Sequence, residues 1–125
     1  MSSDVIRMTI PAVLAYARLP RVAIAGLATR SGFSYDEVED LRLAIGEVCQ
    51  VLLDGADREG TLIISFTIER GKMAVEVRAD GPAGRNDGVN EKLAEQLIEA
   101  TVGAVEVGDD GNRITFTKTA PEDLD

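Results

Sequence analysis

The chain has 125 residues, 45% of them hydrophobic, so one compact domain (1–125) with a real core is expected and two are not. Its 13 lysines and arginines face 22 aspartates and glutamates, a net charge of −9, which argues against direct nucleic-acid binding and suits a basic protein partner. With no histidine and a single cysteine, internal disulfides, Cys/His zinc sites and histidine-assisted nucleophilic catalysis fall away.

Residues 1–10 lack a basic start leading into a long apolar run, and no stretch of roughly 18 apolar residues is free of charge. A cytoplasmic protein without a signal peptide or membrane span is the expectation. Residues 5–10 (V-I-R-M-T-I) alternate apolar with polar and predict a strand. Pro11 suits the first turn of a helix, where a missing N–H costs nothing. The Ala-, Leu- and Val-rich residues 12–29 predict that helix, with Val13, Ala17, Val22, Ala25 and Leu27 available to face inward. Pro20 either kinks it or marks a break between two shorter helices, and Gly32 ends the region.

Residues 34–53 predict one long helix. Ser34 and Glu37 have the spacing of a capping box, and Asp36, Glu37, Glu39 and Asp40 favour the positive end of the helix dipole. Val38, Leu41, Ala44, Ile45, Val48 and Leu52 form a core stripe. At about 100° per residue, Leu43, Glu47 and Val51 fall on a second stripe, so Glu47 has an apolar neighbour one turn before and one turn after. Cys49 inside this helix reads as a small core thiol.

After a polar turn (54–60), residues 61–69 alternate, with Leu62, Ile64, Phe66 and Ile68 on one face and Thr61, Ile63, Ser65 and Thr67 on the other. Arg70-Gly71-Lys72 predicts a tight hairpin, and Met73, Val75, Val77 and Ala79 return as the next strand with Glu76 and Arg78 outward. Residues 85–90 read as loop, and Asn90 caps a predicted helix over 91–101. Residues 102–107 and 113–118 predict a final hairpin, and 119–125 an acidic tail. An antiparallel sheet covered by helices on one face follows from this pattern.

The run D-L-R-L-A-I-G-E-V-C-Q-V-L-L (40–53) resembles the first nucleotide-box helix of the anti-sigma factor and serine kinase group, the RsbW and SpoIIAB type within the GHKL ATPase superfamily, in a form similar to its actinobacterial branch. The resemblance extends over residues 5–118. It implies an α+β two-layer sandwich, a mostly antiparallel sheet with helices on one face, the histidine-kinase-like ATPase or Bergerat fold. In active members the residue matching Glu47 is the catalytic carboxylate, and an Asn four positions later holds Mg²⁺. Here that position is Val51, which offers no oxygen to a hard cation.

The family's D-x-G-x-G box, whose Asp accepts the adenine amino group, falls on Asp80-Gly81-Pro82-Ala83-Gly84. Aligned on Gly81, its Asp lands on Ala79 and its last Gly on Ala83. Asp80 comes one residue late, on the opposite face of a strand unless a bulge intervenes; otherwise the stretch is a plain D-G-P turn. The G-x-G-L that closes the family's ATP lid is replaced by N-E-K-L (90–93). If ATP binds, Asp80, Gly81 and Gly84 are the cofactor-binding candidates; no metal site and no resident cofactor are expected.

The resemblance therefore implies a regulator that switches between an alternative sigma factor and a STAS-domain anti-anti-sigma factor through its surface, with nucleotide binding weak or lost. The alternative is an active ATP-dependent serine kinase using Glu47 on a STAS-domain antagonist. A third reading makes Glu47 a structural carboxylate in another kind of binding domain. In the family the first strand and following helix also serve dimerisation and partner docking, so a homodimer is expected.

Overall fold

The computed structural model of the protein describes residues 3–55, 59–80, 103–108 and 112–120. Seven regular elements lie within them. Strand β1 (Asp4–Pro11) leads through a 3₁₀ turn (Leu14–Tyr16) to helices α1 (Arg18–Arg30) and α2 (Tyr35–Gly55). Strands β2 (Thr61–Glu69), β3 (Lys72–Asp80), β4 (Ala104–Val107) and β5 (Arg113–Thr119) follow. The sheet order is β1-β2-β3-β5-β4, with every neighbouring pair antiparallel. The helix expected over 91–101, and the loop before it, lie outside the described residues.

The strand pattern forces the two-layer arrangement. Leu62, Ile64 and Phe66 on β2, Met73, Val75 and Val77 on β3, and Ile114 and Phe116 on β5 are all fully buried on one face. The register pairs them across strands, Phe66 with Val75 and Val75 with Phe116, so large side chains form continuous rows. Against these rows pack Leu41, Ala44, Ile45, Val48 and Leu52 of α2 and Ile24 and Ala28 of α1. Each buried Leu or Ile contributes roughly 1.5–3 kcal/mol relative to exposure, and the expected α2 core stripe is buried along its whole length.

Lys118 is the one charged residue in this interior among the described residues, 7% exposed at the end of the β5 inner row. Its Nζ lies 3.5 Å from Asp40 Oδ2.

The capping box forms as its spacing requires. The Glu37 N–H donates to Ser34 Oγ at 3.2 Å, and the Ser34 N–H donates to Glu37 Oε1 at 2.7 Å. Helix α1 ends in a Schellman arrangement: Gly32 sits at φ 90°, and the N–H of buried Phe33 donates to the Ala28 carbonyl at 3.3 Å.

The first helical region differs from expectation in three respects. Pro11 does not open a helix; it closes β1 opposite Thr61, where an edge strand tolerates a residue with no N–H to donate. The helix expected over 12–29 is split upstream of Pro20, with a 3₁₀ turn first and α1 beginning at Arg18. Pro20 then occupies the first turn of α1, where it breaks no hydrogen bond, and its ring is buried. Val22 is 71% exposed, because the inward stripe runs through Pro20, Ile24 and Ala28, four residues apart.

Candidate functional site

The outer surface of the helical pair carries a cleft of about 640 Å³. Leu14, Ala15 and Ala17 of the 3₁₀ region and Arg18 and Arg21 of α1 form one wall; Arg42, Leu43, Gly46, Glu47 and Gln50 of α2 form the other. Burial of Pro20, Ile24 and Ala28 towards the core turns Arg18 and Arg21, one helical turn apart, away from it. On α2 the core stripe does the same for Leu43, Gly46 and Glu47. Gly46 gives the cleft its floor: a Cβ there would lie 3.5 Å from Arg21 Cδ, so the arginine stem lies across the glycine.

Charge in the cleft is opposite in sign to that of the chain. Three guanidiniums line it in a protein of net charge −9. Arg42 is paired with Glu39 at 3.0 Å, and Gln50 donates to Asp54 at 3.1 Å. The start of α1 adds to the positive field, because no side chain caps it, no acidic residue stands in its first turn, and Ala17 and Arg18 line the cleft. Leu14 and Leu43, 66% and 53% exposed, give the rim an apolar character.

Glu47 lies in this cleft, half-buried, with Val51 one turn further on packed against the core. Asp80 lies elsewhere. Strand β3 pairs with β2 in unbroken register from Glu69–Lys72 to Thr61–Asp80, so no bulge resets the alternation. Ala79 continues the inner row of Met73, Val75 and Val77, whereas Asp80 shares the outer face with Glu76 and Arg78 and is exposed. The sheet thus separates the faces on which Glu47 and Asp80 stand. Gly81 and Gly84 lie outside the described residues, as do Ala83 and residues 90–93. Among the described residues no group of three or more Asp, Glu, Cys or His side chains is disposed to hold a metal ion.

Cys49 is buried on the core-facing side of α2, and desolvation pushes its thiol from 9.0 up to about 12. It is therefore protonated and unreactive at neutral pH. The residues missed by sequence reasoning are Arg18 and Arg21. Their i, i+3 spacing was visible, but it became meaningful only once the inward stripe was known to pass through Pro20 and Ile24.

A five-stranded antiparallel sheet carrying its helices on one face, with a carboxylate midway along the central helix, is a GHKL-type layout. A solved structure of the RsbU and RsbW domains of a Mycobacterium tuberculosis protein has the same fold, with a TM-score of 0.66 at 18% identity over 93% of this chain and 32% of that one. No family model matches the sequence. The serine-protein kinase RsbW of Bacillus subtilis is 30% identical over 110 residues, 86% of this chain and 69% of that protein. RsbW of Halalkalibacterium halodurans is 33% identical over 91 residues, 72% of this chain and 56% of that protein. RsbW of a Bacillus cereus strain is 36% identical over 78 residues, 61% of this chain and 49% of its own length. The chain belongs to the RsbW family, and its matched region spans from about half to about two thirds of these relatives' lengths.

Proposed function

We propose that this protein is an anti-sigma-type regulator that works by partner switching between an alternative sigma factor and a STAS-domain anti-anti-sigma factor, in the cytoplasm and as a homodimer. Docking at the surface, and not phosphoryl transfer, is its activity. The observation that carries the reading is the company Glu47 keeps: guanidiniums and apolar side chains line its cleft. Mg²⁺ is held octahedrally by one or two protein oxygens together with waters and substrate phosphates. The described lining offers side-chain oxygens only from Glu47 and Gln50, beside three arginines that repel a cation, with Val51 at the next turn of the helix. One carboxylate among guanidiniums, with Val51 where the family has its Mg²⁺-holding Asn, makes the described lining better suited to an anionic partner than to a cation. The outward placement of Asp80 is a second support for weak or lost nucleotide binding.

The arginine cleft also indicates how a partner is held. Arg18 and Arg21 present planar donor forks suited to carboxylates, and the rim leucines suit an apolar anchor. A partner segment with acidic and apolar side chains fits this surface, while the acidic remainder of the chain complements basic surface elsewhere on the same partner.

The kinase alternative keeps one favourable observation, since Glu47 stands in an open cleft at the position of the family's catalytic carboxylate. Titration calorimetry with Mg·ATP and Mg·ADP separates the two readings. No heat at millimolar nucleotide, together with capture of a sigma factor or STAS-domain protein, is the expected result. A Kd tighter than roughly 100 μM, about −5.5 kcal/mol, followed by phosphate transfer to a STAS-domain protein that Glu47→Ala abolishes, overturns it.

A further inference from the structure

Within the cleft, Glu47 is unengaged. Arg42 is held by Glu39 and Gln50 by Asp54, whereas Glu47 makes no hydrogen bond or ion pair among the described residues. Helical spacing explains this. Arg42 precedes Glu47 by five positions, off the row of i, i+4 neighbours, and the residues one turn away, Leu43 and Val51, are apolar. Across the cleft, Arg18 and Arg21 have no carboxylate within 4.0 Å among the described residues. One unengaged carboxylate and two unengaged guanidiniums therefore share one open space.

We propose that Glu47 acts as a charge brake on the arginine cleft: it lowers the positive potential felt by an incoming acidic segment without occupying the guanidiniums, and so keeps docking reversible. The inference rests on the docking reading above. A carboxylate in direct contact with Arg18 or Arg21 would block the site. One acting across a solvated gap of more than a contact distance weakens the attraction by a screened Coulomb amount and leaves the donor forks available. Exchange of one partner for another needs such moderation, because in mutants of one interface affinity is set mainly by the rate of release.

The test uses the full chain and a labelled amphipathic helical peptide with glutamates on one face and leucines on the other. A control peptide has every glutamate replaced by glutamine. Fluorescence anisotropy is read in about 50 mM salt and again in about 300 mM, where screening shortens the reach of the carboxylate. Glu47→Gln is expected to tighten the acidic peptide by roughly three- to tenfold at low salt, with slower release and a smaller gain at high salt. The neutral peptide is expected to be unaffected, and Glu47→Asp, which keeps the charge, to stay within about twofold of the unmodified chain.

Unchanged or weaker binding of the acidic peptide by Glu47→Gln overturns the brake, provided that Arg18→Glu/Arg21→Glu still abolishes that binding. An equal change for both peptides, which a packing role would produce, also overturns it. If the unmodified chain does not bind the acidic peptide, or the double arginine reversal leaves binding intact, the docking reading itself falls.

Discussion

Glu47 and Asp80 are the two carboxylates that the family resemblance singles out, and the fold treats them differently. Glu47 is fixed by a 21-residue helix whose core stripe is wholly buried, so its direction follows from packing and leaves no freedom. Asp80 is fixed by the period of a strand, where one residue decides between inner and outer face. A helix position shifted by one residue moves about 100° round the axis; a strand position shifted by one moves to the far side of the sheet. An equal slip in sequence therefore displaces a side chain further in a strand than on a helix, which is why one residue is enough to put Asp80 on the outer face.

Removing the foundation beneath the cleft tests the contrast most severely. Ile45→Ala deletes a fully buried side chain between α2 and the sheet, and is expected to cost about 2–5 kcal/mol in urea unfolding. Acidic-peptide binding by the folded fraction should weaken too, because the cleft wall belongs to the same helix.

Arg18→Glu/Arg21→Glu should lower acidic-peptide affinity by more than tenfold, at least about 1.4 kcal/mol, with little change in unfolding midpoint because both side chains are exposed. Asp80→Asn, on the other face of the sheet, should leave that affinity within twofold. A larger Asp80 effect would break the proposed division between the two regions.

Both helical regions were legible in the sequence to different degrees, for a physical reason. The α2 boundaries, capping box and core stripe could be read directly because cap chemistry and 3.6-residue periodicity agree there. In α1 the same alanine-rich composition supports several faces, and only tertiary packing selects Pro20, Ile24 and Ala28, so the sequence alone allows Val22 an inward position and gives the arginines no distinct face. The β2–β3 hairpin was fully legible from its alternation and from Gly71. The charge of the cleft was not, since a net charge of −9 says nothing about where 13 basic residues gather.

Alkaline pH probes the interior on the core side of α2. The Cys49 thiol is raised from 9.0 to about 12 by burial, so the unfolded chain releases its proton first. Its contribution to stability is fully present below pH 9 and is lost as pH climbs towards 12. Unfolding midpoints measured from pH 8 upward should fall, and Cys49→Ala should flatten the part of that fall due to the thiol.

The smallest effect sharpens the comparison at the N-terminal end of α2, remote from both carboxylates. Ser34→Ala removes the acceptor for the Glu37 N–H and should cost about 1 kcal/mol. Peptide affinity should be unchanged, which thermal unfolding and anisotropy together would check.

Gly71 has a wider reach than the two-strand turn it completes. It holds φ at 71°, its N–H donates to the Ser31 carbonyl at the end of α1, and its own carbonyl accepts from the Ala120 N–H beyond β5. Three stretches far apart in the chain are thereby knotted at one peptide unit. In hydrogen–deuterium exchange the Gly71 and Ala120 amides should behave as one clock: neither is released to solvent until the close of the sheet and the foot of the first helix part together.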